Sequence, residues 1–170
     1  MKILVTGRAG SGKTTLAAEL ASRGLAAYDG DTYPNLAYWR NLATGQNLAK
    51  NFPVDYSVEK YGWYWDPAVM GRLLSSAADV ILCGSADNMA DFYPAFDKRF
   101  ILNVEPWEQL HRLQNREHGY AKDDPELQRK IVEEQAQLVA NASQIGATLL
   151  NANLPIVALA DKIIEQLHAQ

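Results

Sequence analysis

The chain of 170 residues contains a single cysteine, Cys83, so no internal disulfide can hold it together. Basic residues are not in excess: 16 Lys and Arg stand against 20 Asp and Glu, a net charge of -4. That balance gives no reason to expect a polyanion partner bound by counterion release, so no nucleic acid is called for. No run of about 18 apolar residues occurs, and no charged leader followed by an apolar core opens the sequence, which predicts no membrane segment and a cytoplasmic location. Repeats and low-complexity tracts are also missing. What is present is 48% apolar content, enough for one domain with a substantial core and too little chain for two. A single domain over 1–170 is expected, as a monomer or a homodimer.

Short apolar runs alternate with helical stretches, the pattern of a parallel sheet covered on both faces. The runs are 2–6 (KILVT), 25–29 (LAAYD), 79–84 (DVILCG), 99–105 (RFILNVE) and 147–152 (ATLLNA). Helices are expected over about 13–22, 67–78, 106–117, 125–144 and 155–168, with Gly24 closing the first and Pro67, Pro125 and Pro155 in first turns. Residues 30–66 break the alternation and read as an insertion after the second strand.

The first strand runs into Gly7-Arg8-Ala9-Gly10-Ser11-Gly12-Lys13-Thr14-Thr15. This is the GxxxxGK[ST] spacing between a strand and a helix. Glycines there let consecutive amides turn inward as an anion nest, and the helix N-terminus adds its positive end. Lys13 would reach the outer phosphates of ATP and the Thr14 hydroxyl would ligate Mg2+. GTPases would add DxxG and NKxD segments, and neither occurs. Motor ATPases would end the third strand in Asp-Glu, where this chain has Cys83-Gly84-Ser85.

Beyond that loop the chain resembles the small P-loop kinases of the nucleotide, shikimate and gluconate kinase group. Four segments carry the likeness: YDGD at 28–31, VILCGSADN at 80–88, HRLQNREHGYAKDDPEL at 111–127 and NANLPIVALADKII at 151–164. The resemblance implies an α/β, three-layer P-loop NTPase fold with a five-stranded parallel sheet, an acceptor-binding insertion over 30–66 and a short LID over 112–124. It also implies roles. Asp31 is the candidate acceptor base and Asp29 the candidate for the metal, with the two exchangeable; as a bland alternative, both could be turn and cap residues. Arg112 and Arg116, four apart on one helix face, are candidates to meet the transferring phosphoryl group. Lys122 is a weaker one. The loop Asn151-Ala152-Asn153-Leu154-Pro155 would read adenine through its backbone, with Arg112 on the ring face.

More than half of the chain's aromatics fall within 30–66. They could stack on an acceptor, pin a mini-domain to the sheet, or form a dimer contact. Tyr38 and Trp39 are acceptor-side candidates, together with Gly84 from the third strand's loop, and Arg40 is placed to hold an anionic acceptor. Lys50 and Lys60 read as surface, His118 as a loop residue, Gly30 as a turn residue and Cys83 as core. The expected reaction is transfer of the ATP γ-phosphoryl group to a hydroxyl of a small-molecule acceptor such as a nucleoside, a sugar or a shikimate-like compound. A nucleoside monophosphate kinase is the alternative within enzymes, and an ATP-binding regulatory protein the alternative outside them.

Overall fold

The computed structural model describes residues 1–48, 53, 56–57, 59–116 and 121–168. Lys50 and His118, singled out above, lie outside the described residues.

Five strands form one parallel sheet: β1 (Lys2–Thr6), β2 (Ala27–Asp29), β6 (Val80–Cys83), β7 (Lys98–Asn103) and β8 (Ala147–Asn151), in the order β2-β6-β1-β7-β8. β1 is central because both of its faces are apolar. Ile3 and Val5 face one core with Leu16 and Leu20 of α1 (Lys13–Ser22) and Leu159 and Ile163 of α5 (Ile156–His168). Leu4 faces the other, with Met70 and Leu73 of α2 (Pro67–Leu74), Phe92 of a 3-10 helix (Met89–Ala95) and the fully buried Trp65. The three layers and five parallel strands are those expected.

Two helices complete the fold. α3 (Pro106–Asn115) and α4 (Pro125–Ala140) meet through Leu113, Ala121 and Ile131, against which Ala9 of the P-loop packs. Helix starts follow the capping signals. The Asp66 carboxylate accepts from the Val69 amide at 2.9 Å, and that of Asp124 from the Glu126 and Leu127 amides at 3.1 and 2.9 Å, each ahead of a first-turn proline. Pro155 is displaced by one position from its expected place. Its carbonyl accepts the first bond of α5, from Leu159 at 3.2 Å, so it stands just before the helix. α4 stops at Ala140, short of the expected 144, because 141–146 turns back at Gly146 in the left-handed region, φ 61°.

The insertion holds the largest departure from the sequence reading. It contains a second, antiparallel sheet in the order β4-β3-β5, from β3 (Ala37–Asn41), β4 (Asn47–Leu48) and β5 (Tyr61–Trp65). Aromatic residues favour pleated strands, and β3 and β5 pair Trp39 with Trp63 and Tyr38 with Tyr64. Trp65, at the end of β5, drops into the main core and ties this sheet to the domain.

Candidate functional site

β1 ends at Thr6 and the chain winds back over its own end before α1 begins. Gly10, at φ 81°, lies so close to α3 that a Cβ there would sit 3.2 Å from the Gln109 carbonyl oxygen and from Leu113. Gly12, the N-cap of α1, stands at φ 102° with no side chain capping the helix. The first-turn amides of α1 therefore keep the unpaired donors that every helix N-terminus has, and Gly12, Lys13, Thr14 and Thr15 line a cavity of about 1150 Å³.

That cavity joins the two halves of the expected site. On one side stand Arg8, Lys13, Arg112 and Arg116; on the other stand Trp39, Tyr61 and Trp63 of the antiparallel sheet, with Asp31 and Asp87. Lys13 is buried and donates from Nζ to the carbonyls of Gly7 at 2.7 Å and Arg8 at 3.2 Å. Burial holds its ammonium below the usual lysine range, an effect opposed by the nearby carboxylates of Asp31 and Asp29.

The two aspartates differ in setting. Asp31 is exposed to the cavity, and its carboxylate accepts from the Trp63 indole Nε1 at 3.0 Å. Asp29 closes β2. Its Oδ1 accepts from the Asp31 amide at 2.8 Å, while its Oδ2 is buried with no hydrogen-bond partner. A buried carboxylate oxygen left unpaired costs stability, and it suits a water held by a metal. Cys83 lies near Asp29 and Lys13; burial pushes its thiol up to about 12, so it serves as core.

Arg112 and Arg116 lie at the end of α3. Arg112 donates from Nε to Glu108 at 2.7 Å and from Nη2 to the Ala152 carbonyl at 3.1 Å, which places it between the P-loop and the 151–155 loop. In that loop the Asn153 amide donates to the Asn151 side chain at 3.0 Å, and Ala152 is buried. Asn151, Asn153, Leu154 and Pro155 do not themselves line the cavity.

Three acceptor-side expectations are displaced. Tyr38 and Arg40 alternate with Trp39 along β3, so they occupy the opposite face of the antiparallel sheet, where Tyr38 stacks with Tyr64 and Arg40 lies over the Tyr64 ring at 5.6 Å. Gly84 is buried behind the cavity wall. A Cβ at Gly84 would stand 2.8 Å from Trp65 Cζ2, and one at Gly30 would stand 3.3 Å from it, so both are sites of close approach to Trp65. Gly30 is thus more than a turn residue.

The SADN segment supplies residues that the sequence reading did not single out. Asp87 accepts from the Trp63 amide at 2.8 Å and donates its own amide to the Trp63 carbonyl at 2.7 Å; Asn88 does the same for Trp65 through its side chain, at 2.9 Å in each direction. These four bonds continue the β5 edge and hold the aromatic sheet against the parallel one. The short Asx-rich run after an apolar strand is a signal for such side-chain pairing.

Among curated proteins no relative matches this chain. Solved structures share its fold over nearly its whole length. Shikimate kinase from Acinetobacter baumannii in complex with shikimate is 22% identical, with a TM-score of 0.59, covering 98% of this chain and 92% of that one. Deoxyadenosine kinase from M. mycoides with bound dATP is 14% identical, with a TM-score of 0.53 over 99% and 100%. A gluconokinase from Sinorhizobium meliloti is 15% identical, with a TM-score of 0.52 over 98% and 95%. The fold is therefore that of the small P-loop kinases. Residues 3–137 match the family model AAA_18, described as an AAA domain. Spanning the P-loop, the antiparallel sheet and most of α4, that match makes the chain a member of the AAA_18 family.

Proposed function

We propose that the protein is an ATP-dependent phosphotransferase that moves the γ-phosphoryl group to a hydroxyl of a small-molecule acceptor. The observation that carries this reading is the shared cavity, which Lys13 and the Asp31 carboxylate both line. Its volume is large enough for a nucleotide with a compact second substrate.

The groups divide the labour of in-line transfer. The first-turn amides of α1 and the Lys13 ammonium hold the β- and γ-phosphates, and Arg116 faces the transferring group. Asp31 orients the acceptor hydroxyl and takes its proton, while its bond to Trp63 fixes its aim. Mg2+, held by the Thr14 hydroxyl and through water by Asp29, would offset charge between the phosphates. Among the described residues no group of three or more His, Cys, Asp or Glu could cage a metal. That fits a magnesium carried mainly by phosphate oxygens.

Among the described residues lining the cavity, every cation stands on the P-loop, on α3 or at its C-terminal cap, or on α4, and the lining residues of the antiparallel sheet are aromatic rings. This supports a hydroxyl acceptor over a nucleoside monophosphate, whose phosphate would need arginines there. No helix among the described residues is long and apolar enough to cross a membrane. A screen of nucleosides, sugars and polyols with ATP, read as phosphorylated product, tests the proposal. ATP binding without product from any acceptor would favour a regulatory nucleotide binder instead.

A further inference from the structure

Among the described residues three glutamines are buried, all of them on α3 and α4: Gln109 at 0% exposure, Gln128 at 2% and Gln135 at 3%. Glutamine is a costly residue to bury, since its amide needs partners on both ends. Gln109 donates to the Ala9 carbonyl at 2.8 Å. Gln135 accepts from the Arg8 amide at 2.7 Å and donates to the Leu102 carbonyl of β7 at 2.8 Å. Gln128, two turns before Gln135 on α4, donates to the carbonyls of Ala121 and Lys122 at 2.8 and 2.7 Å. Two consecutive residues of the P-loop are thus gripped from two helices. One helix carries Arg112 and is capped by Arg116, and the other holds Ala121 and Lys122, within the LID expected over 112–124.

We infer that Gln109 and Gln135 are positioning residues for phosphoryl transfer, fixing the opening of the P-loop to α3 and α4 so that the arginine side of the cavity keeps register with the phosphate cradle. This rests on the kinase reading above. Gln109 lies on α3 and Arg116 is the residue that caps its C-terminal end, with Leu113 between them packed close to Gly10. A shift of the cradle therefore moves with that helix. Stability alone does not select glutamine at 109. Its Oε1 is buried with no hydrogen-bond partner, and a methionine of similar length would fill the slot without that unpaired oxygen.

Gln109→Met is the test. A melting temperature within a few degrees of the unmodified protein is expected, with the KM for ATP changed less than about two-fold and kcat lowered about ten-fold. In an Arg116→Ala background the same change should cost nothing further, because the arginine it positions is gone. Multiplicative losses in the double variant, or an unchanged kcat in the single one, would overturn the inference. Gln135→Glu supplies a second reading. The introduced carboxyl can still accept from Arg8, but it donates to the Leu102 carbonyl only when protonated. Burial raises its pKa, so kcat relative to the unmodified protein should recover as pH falls from about 8 to about 6. A flat ratio counts against the inference.

Hydrogen exchange over 121–127 separates this idea from the kinase reading itself. An unhydrolysable ATP analogue should raise protection there, and Gln109→Met should bind the analogue equally and lose the gain. Loss of that gain in a protein that phosphorylates no acceptor would leave the coupling standing and the kinase reading fallen. No gain in the unmodified protein would sink the coupling.

Discussion

The indole Nε1 of Trp63 donates to the Asp31 carboxylate at 3.0 Å, so a residue of the antiparallel sheet aims the acid that stands past the end of β2. Asp31→Asn keeps the shape and removes the charge. It should cost roughly a hundred-fold or more in turnover with little change in ATP affinity. Trp63→Phe keeps an aromatic wall but drops the N–H, and should lower kcat about ten-fold with ATP binding unchanged. If Asp31→Asn instead greatly weakened ATP binding while the residual turnover per bound ATP stayed normal, Asp31 would belong to the metal and Asp29 to the acceptor.

Lys13 offers a test in which stability and activity part company. Lys13→Met removes the cation proposed to grip the phosphates, so transfer should be lost. The same change removes a buried ammonium held below its usual pKa, so the nucleotide-free variant should melt no lower than the parent. The pH dependence has a definite sign. Between the depressed folded value and about 10.5 the unfolded chain binds more protons than the folded one, so the parent's stability should rise with pH across that window and the variant should lack that rise. Denaturant titrations at several pH values measure both.

How much of this was legible in the sequence depended on whether the signal was local. The parallel sheet could be read because β1 and β6 are apolar on both faces, and the phosphate cradle because its glycine spacing is set by the loop itself. Arg112 and Asp31 were reached through motif likeness, and they do face one cavity. The antiparallel sheet was missed because its two main strands are rich in tyrosine and tryptophan rather than aliphatic, and because their pairing runs from Asn41 to Tyr61 across a long connection. Arg40 was misplaced for the same reason: without the strand, its alternation with Trp39 could not be seen. Gln109 and Gln135 carry no sequence signal, since on a helix of unknown packing a glutamine reads as surface.

Gly84 should be intolerant of even one methyl group. A Cβ there would stand 2.8 Å from Trp65 Cζ2, and Trp65 is fully buried. Gly84→Ala should therefore destabilise by about 1–3 kcal/mol through overpacking. Because Trp65 anchors β5, acceptor affinity should fall along with the melting temperature. Gly30→Ala, at 3.3 Å from the same atom, should show a smaller version of both effects. Equal stability of Gly84→Ala and the parent would mean that Trp65 can shift freely.

Arg112 and Arg116 should separate in their kinetic roles. Arg112 reaches the Ala152 carbonyl with Nη2 and is held at Nε by Glu108, so it stands beside the loop proposed to receive adenine. A base entering next to Ala152 would compete for that carbonyl, releasing one end of the guanidinium while Glu108 keeps the other. The freed plane could then lie on the ring face. Arg112→Gln should accordingly weaken ATP binding by about ten-fold, with a smaller effect on kcat at saturation. Arg116→Ala should do the reverse, lowering kcat while ATP binding changes little. Parallel titrations of ATP and GTP complete the test: ATP should bind more tightly to the parent, and Arg112→Gln should narrow the difference. Equal affinities for the two nucleotides in the parent would mean that the 151–155 loop reads no base and that Arg112 acts on the phosphates alone.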